Sequence, residues 1–110
     1  MSWVTDIILI FSIAEMIDEE DEELDIEIPV PLININSWLH QNGKRTLDNL
    51  SEHISGKGMQ ACVYGGAFNF LDIDGFKETV KAQNWKAREN VQLLIQEEQD
   101  ERFSLYTLDN

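Results

Sequence analysis

The sequence predicts a single α+β domain over residues 1–110, in which two helices cover one face of an antiparallel sheet of about five strands. Several segments carry apolar residues at every second position, which is typical of strands. Two other segments carry apolar residues three and four positions apart, which is typical of helices. The chain of 110 residues fits one domain, because a second hydrophobic core would be too small to stand alone.

The first predicted strand runs over Trp3–Ile13 and is apolar on both faces. One face carries Trp3, Ile7, Leu9, Phe11 and Ile13, with Thr5 as the exception. The other face carries Val4, Ile8 and Ile10, and is interrupted by Asp6 and Ser12. A strand of this kind lies in the middle of a sheet, or its second face is covered.

A helix is predicted near residues 31–42. Pro31 suits the first turn of a helix, and Gly43 suits its C-terminal cap. The apolar residues recur at helical spacing, at Leu32, Ile35, Trp38 and Leu39.

Two strands joined by the turn Ser55–Gly58 are predicted next. The first is Arg45–His53, although Asp48 and Asn49 disfavour strand structure. The second is Met59–Phe68, where one face carries Met59, Ala61, Val63 and Gly65, and the other carries Gln60, Cys62, Tyr64 and Gly66.

A second helix over residues 73–83 and a final hairpin complete the chain. Asp72 is expected to cap the helix, and Ile73, Phe76 and Val80 share one of its faces. The hairpin joins the strands Val91–Glu97 and Arg102–Leu108 through an acidic turn. On these strands, Val91, Leu93 and Ile95 share one face of the first, and Phe103 and Leu105 share one face of the second.

The predicted order of elements is strand, helix, strand, strand, helix, strand, strand. The first six match the β-α-β-β-α-β order of ferredoxin-like folds, and the seventh adds a C-terminal hairpin strand.

The charge of the chain is strongly negative and unevenly spread. There are 21 acidic residues against eight basic ones, for a formal net charge of -13. Such a surface repels phosphate, so neither nucleic acid nor a membrane is an expected partner. Nine acids lie between Glu15 and Glu27, and six are adjacent: Asp18, Glu19, Glu20, Asp21, Glu22 and Glu23. We expect an acidic loop at about 15–28. It is either a solvated loop without a binding role or a recognition surface for a basic partner.

No motif predicts a catalytic group, a metal or a cofactor. The mid-strand position of Cys62 is typical of a buried, unreactive thiol, and a single cysteine cannot form an internal disulfide. A cytoplasmic protein is therefore expected. The glycine of Asp72-Ile73-Asp74-Gly75 comes too early in the sequence for an EF-hand calcium loop. The spacing of His40, His53 and Cys62 does not match that of a zinc site. No apolar run reaches the roughly 18 residues of a membrane helix.

Paired glycines inside a predicted strand form a second candidate region. They mark a bulge, or a place where a backbone, ring or ligand comes close. If this region faces a partner or ligand, the candidate residues are Tyr64, Gly65, Gly66, Phe68 and Asn69. Trp38 is a further candidate anchor, because aromatic residues are enriched at protein contacts.

The residues favour a small acidic, non-catalytic interaction protein that binds a basic partner, as inhibitors and immunity proteins of nucleases do. One alternative is a homodimer that buries the second sheet face, with Val4, Ile8 and Ile10 and also Cys62 and Tyr64 contributing. Another is a ferredoxin-like small-ligand binder or enzyme with a pocket lined by Tyr64, Asn69 or His53.

Overall fold

A computed structural model describes residues 3–16, 29–51 and 61–108 of the chain. It confirms an α+β fold with a five-stranded antiparallel sheet and two helices. In chain order the elements are β1 (Val4–Ser12), α1 (Val30–Gln41), β2 (Asp48–Asn49), β3 (Ala61–Asn69), α2 (Ile73–Lys81), β4 (Gln92–Glu97) and β5 (Ser104–Thr107). Short 3-10 helices cover Ile13–Met16 and Arg88–Asn90.

The central position in the sheet belongs to β1. The strand order is β2-β3-β1-β4-β5, and each neighbouring pair is antiparallel. Along its length β1 pairs with β3, from Val4 opposite Asn69 to Ser12 opposite Ala61. On its other side β1 pairs with β4, from Thr5 opposite Glu97 to Ile10 opposite Gln92. This placement agrees with the central position that was one of the two expectations for a strand apolar on both faces.

The hydrophobic core lies between one face of the sheet and the two helices. On β1 this face carries Ile7, Leu9 and Phe11, which are almost completely buried. Thr5, the polar exception on the face, is also fully buried. The Phe11 ring stacks on Tyr64 with 5.6 Å between ring centroids. Burying such side chains contributes roughly 1.5–3 kcal/mol each, so this face anchors the fold.

Helix α1 matches its prediction closely, since Val30–Gln41 is shifted by one residue from 31–42. Pro31 lies in the first turn, where a missing N–H costs no hydrogen bond. At the other end Gly43 has a φ of +72°, a conformation that glycine adopts without strain. The side chains of Leu32, Ile35 and Leu39 are fully buried.

Helix α2 begins at the predicted cap. The Asp72 carboxylate accepts a hydrogen bond from the backbone N–H of Gly75 at 3.1 Å. Phe76 and Val80 are fully buried, and Ile73 packs against the core. The helix ends at Lys81, two residues before the predicted end. The buried indole of Trp85 then donates a hydrogen bond to the Val80 carbonyl at 2.9 Å and closes this end.

Of the predicted strand Arg45–His53 the structure describes residues 45–51, and among these β2 covers only Asp48–Asn49. Aspartate and asparagine have low strand propensity. The N–H of Leu47 donates to the side-chain oxygen of Asn36 on α1 at 3.0 Å, so a helix side chain takes the place of a strand partner. The turn predicted at 55–58 and the first two residues of the strand Met59–Phe68 lie outside the described residues.

The predicted C-terminal hairpin is confirmed, with Gln92 opposite Thr107 and Ile95 opposite Ser104. On β5 the side that faces the core is the one that carries Tyr106. Tyr106, opposite the buried Leu93, packs against the core, whereas Leu105 is 58% exposed. The pairing decides this, because residues directly opposite each other share a face.

Candidate interaction surfaces

The acidic segment of residues 17–28 lies outside the described residues, and with it the six predicted binding residues Asp18, Glu19, Glu20, Asp21, Glu22 and Glu23. Its two flanks are described, and both belong to the packed domain. On one side Glu15 is buried in a 3-10 helix, and on the other Pro29 is buried before α1.

The first acid of the predicted acidic loop has a structural contact. One carboxylate oxygen of Glu15 accepts the backbone N–H of Lys86 at 3.0 Å, and the other accepts that of Ala87 at 2.7 Å. The side chain is only 5% exposed. A buried carboxylate must be paired in this way, because an unpaired buried charge is costly. Glu15 is therefore bound within the domain.

Two of the predicted aromatic binding residues lie in the core. Tyr64 is 6% exposed and Phe68 is 4% exposed. They pair across the sheet with Leu9 and Thr5, which places them on the helix-covered face. Both rings therefore contribute mainly to packing.

The paired glycines allow close approaches on opposite faces of β3. A Cβ atom at Gly65 would lie 2.7 Å from the carbonyl oxygen of Ile7 and 2.9 Å from Leu50 Cδ1. A Cβ atom at Gly66 would lie 3.1 Å from the Phe68 ring. The register between β1 and β3 continues through both glycines, so the expected bulge is absent from this pairing. The other expectation for paired glycines is met, because a backbone carbonyl lies close to Gly65 and an aromatic ring lies close to Gly66.

The other two predicted residues lie elsewhere. Trp38 is half-buried on α1, where its ring meets Phe76 edge-on at 6.0 Å between centroids. Asn69 is exposed at the end of β3, and its carbonyl accepts a hydrogen bond from the Lys44 ammonium.

The sheet face opposite the helices, here called the distal face, carries a strip of apolar side chains. Ile8 on β1 stands between Leu94 of β4 and Gly65 of β3, and Leu94 in turn faces Leu105 of β5. The next row places Ile10 beside Val63. The sequence predicted Val4, Ile8 and Ile10 for this face, and all three lie on it, half-buried.

Cys62 and Tyr64, which the homodimer alternative assigns to the distal face, pair with Phe11 and Leu9 and lie on the helix-covered face. The sequence analysis does not predict Leu94 and Leu105 for this face. The consecutive apolar residues Leu93, Leu94 and Ile95 were the available signal, because such a run is apolar on both faces of a strand.

A shallow cleft of about 410 Å³ lies beside α1. It is lined by Ile33, Asn36, Ser37, His40, Gln41 and Thr46. Among the described residues, its polar groups are amides, hydroxyls and an imidazole. Of the expected pocket residues, Tyr64 is in the core and Asn69 is at the end of β3, so neither of these two lines the cleft. His53 lies outside the described residues.

The single cysteine of the chain is Cys62. Burial raises the pKa of the Cys62 thiol above its usual value, which disfavours the reactive thiolate. Within residues 3–16, 29–51 and 61–108, no three His, Cys, Asp or Glu side chains are grouped to hold a metal. Among the same residues, no helix is long and apolar enough to cross a membrane.

Comparisons of the chain with models of known protein families, with curated proteins and with solved structures found no match.

Proposed function

We propose that this protein is a non-catalytic interaction module, of the inhibitor or immunity type, that binds a basic protein surface through its acidic segment. The observation that carries the proposal is the concentration of charge. Residues 17–28 contain eight acids and no lysine or arginine. A basic partner would gain favourable contacts with this segment that no other stretch of the chain can match.

The anchoring of both flanks supports this role. Glu15 is hydrogen-bonded to the backbone at Lys86 and Ala87, and α1 begins with the buried residues Pro31 and Leu32. The described residues on both sides of the acidic segment therefore belong to the same packed core. Tethering both ends lowers the entropy that the segment loses on binding.

Electrostatics would act mainly on the speed and orientation of association. Complementary charge steers encounters between proteins, and salt screens the attraction over roughly 10 Å at 0.1 M ionic strength. Affinity also requires an apolar anchor that becomes buried. The cytoplasm is the proposed location, because a lone cysteine gives no disulfide to maintain.

For the fold, we propose the ferredoxin-like description. The strand order β2-β3-β1-β4 is antiparallel throughout, with α1 between β1 and β2 and α2 between β3 and β4. In this description β5 is an addition at the β4 edge. Fold alone assigns no activity, so the proposed function rests on charge and surface.

The test compares two variants that lose the same charge at different places. The first replaces Glu19, Glu20, Glu22 and Glu23 by glutamine, and the second replaces the exposed Glu78, Glu89, Glu98 and Glu101. The full chain, carrying an affinity tag, is used to isolate binding partners from the native source at low and at high salt. The partner is then purified, and its affinity for the parent chain and for each variant is measured by titration.

We expect the first variant to bind the partner at least about tenfold more weakly at low salt, and the second to stay close to the parent chain. High salt should weaken partner binding by the parent chain more than partner binding by the first variant. Equal affinities for the two variants would contradict the proposal, as would recovery of only neutral or acidic partners.

A second candidate function is a dimeric ferredoxin-like small-ligand binder or enzyme, favoured by the cleft beside α1. Its volume of about 410 Å³ is in the range of small-molecule sites. A fragment screen followed by amide chemical shifts would test it. Shifts grouped at Asn36, His40 and Thr46 that vanish in His40→Ala would support it, and scattered shifts would oppose it.

A further inference from the structure

We infer that the distal face anchors an amphipathic, cationic segment of a partner protein, with Ile8, Leu94 and Leu105 as its apolar floor. This inference rests on the proposed function, because it assumes a basic partner. It adds the buried contact that charge attraction by itself does not supply.

The floor is a row of side chains that crosses neighbouring strands. Leu105, Leu94 and Ile8 are directly opposite one another on β5, β4 and β1. Leu105 is 58% exposed, and Ile8 and Leu94 are half-buried. Because neighbouring strands lie about 4.8 Å apart, these three side chains form a strip about 10 Å long.

The strip continues to the opposite edge of the sheet because Gly65 has no side chain. A Cβ atom there would lie 2.9 Å from Leu50 Cδ1, so the Leu50 side chain reaches over this glycine. From Leu105 on β5 to Leu50 beside β2 the strip crosses four strand spacings, about 19 Å. An α-helix rises 1.5 Å per residue, so about 13 residues of helix would cover it.

The charged groups that the strands place beside the strip are acidic. Asp6 lies two residues from Ile8 on the same face of β1, and Asp48 lies opposite Gly65 at the edge. The described strands place no lysine or arginine side chain on this face. A bound segment with apolar residues along one side and lysine or arginine beside them would match both features.

The same charges disfavour a second copy as the occupant. Each chain has a net charge of -13, so face-to-face packing of two copies would bring like charges together. A cationic partner meets no such repulsion. Charge complementarity therefore selects the basic amphipathic segment over the homodimer.

The test uses the full chain and three synthetic peptides of about 14 residues. One places leucine at helical spacing among lysines, the second replaces its lysines by glutamate, and the third replaces its leucines by serine. Binding is measured by fluorescence anisotropy, and the contact surface by amide chemical shifts. We expect the leucine–lysine peptide to bind most tightly and to shift amides of β1, β4 and β5.

The decisive variant is Leu94→Ser with Leu105→Ser, and the matched control is Val30→Ser with Ile33→Ser, two exposed apolar residues of α1. We expect the first pair to weaken leucine–lysine peptide binding at least about tenfold and the control pair less than about twofold. Asp6→Asn should weaken it several-fold. If the double variant folds poorly, Leu105→Lys alone, at a largely exposed position, should still reduce binding.

Three results would overturn the inference. The leucine–glutamate peptide could bind as tightly as the leucine–lysine one, the distal-face variants could bind normally, or the parent chain could form a dimer that Leu94→Ser with Leu105→Ser dissociates. The variant with Glu19, Glu20, Glu22 and Glu23 replaced by glutamine separates the two proposals. If only that variant loses peptide binding, the acidic segment binds and the distal-face inference falls. If only the distal-face variants lose it, the distal face anchors the peptide, and the role of the acidic segment is decided separately by titration of the purified partner.

Discussion

The carboxylate of Glu15 accepts a hydrogen bond from the backbone N–H of Ala87 at 2.7 Å, although the two residues lie 72 positions apart in the chain. Its other oxygen is bonded to the N–H of Lys86. The next residue, Arg88, donates to backbone carbonyls at the end of α2 and to that of Leu108 after β5. Residues 86–88 thus join the ends of β1, α2 and β5, at the point where the acidic segment begins.

Replacing Glu15 by alanine should strongly destabilise the fold. The change leaves two backbone N–H groups without their acceptor, and hydrogen bonds to a charged group contribute about 1.5–3 kcal/mol each. We expect the free energy of unfolding in urea to fall by about 3 kcal/mol. The exposed Glu89→Ala is the matched control and should change it by less than about 0.5 kcal/mol. Similar losses for the two variants would show that the Glu15 contacts contribute little.

Replacing Thr5 by valine should stabilise the protein. The Thr5 side chain is fully buried, and its hydroxyl has no hydrogen-bond partner among the described residues. Burying an unpaired hydroxyl costs about 1–3 kcal/mol, and valine has nearly the same shape without it. We expect a gain of about 1 kcal/mol in the free energy of unfolding. Thr107→Val, at an exposed site, should give no comparable gain, and a loss at Thr5 would contradict this account.

The two glycines of β3 should respond differently to alanine. At Gly65 the new methyl group would meet the Ile7 backbone oxygen at 2.7 Å, and backbone atoms cannot easily move aside. At Gly66 it would meet the Phe68 ring at 3.1 Å, and a ring can rotate. We expect Gly65→Ala to lower the free energy of unfolding, measured in urea, by about 2 kcal/mol or more. Gly66→Ala should lower it by less. The reverse order would disprove the close approach at Gly65.

Phe70 has a backbone conformation that glycine would adopt more easily. Its φ is +54°, and its side chain is 66% exposed. The left-handed region costs a non-glycine residue roughly 1–2 kcal/mol, and the exposed ring regains little by packing. We expect Phe70→Gly to be more stable than Phe70→Ala by about 1 kcal/mol in chemical denaturation. Equal stability of the two variants would argue against strain at this residue.

The thiol of Cys62 should react slowly in the folded chain. Burial raises its pKa, so the folded state keeps the thiol proton at pH values where the unfolded chain has lost it. Labelling by a disulfide reagent should therefore need a higher pH in buffer than in urea. Any stability from this group is present below the unfolded pKa and is lost as pH rises towards the folded one. Cys62 is the single cysteine, so all labelling reports on it, and identical pH profiles would contradict its burial.

The periodicity of the apolar residues was enough to predict the two helices, the strand β1 and the β4–β5 hairpin. These elements have strong local signals, such as the Asp72 cap and the alternation through Ile7, Leu9 and Phe11. Strand β2 shows the limit of this reasoning. Its extent depends on hydrogen bonds between distant residues, such as the Leu47 N–H with Asn36 on α1.

The sequence by itself determines the charge, the composition and which side chains share a face of each helix or strand. These properties depend only on residue types and their spacing along the chain. Which face of β3 and β5 turns towards the helices was decided by pairing between strands, because one residue of shift exchanges the two faces. That pairing buried Tyr64 and Phe68 and brought Leu94 and Leu105 to the distal face. The tertiary structure likewise decides the role of Glu15, which the sequence does not distinguish from the other acids. Its buried carboxylate is hydrogen-bonded to the backbone of the distant residues Lys86 and Ala87.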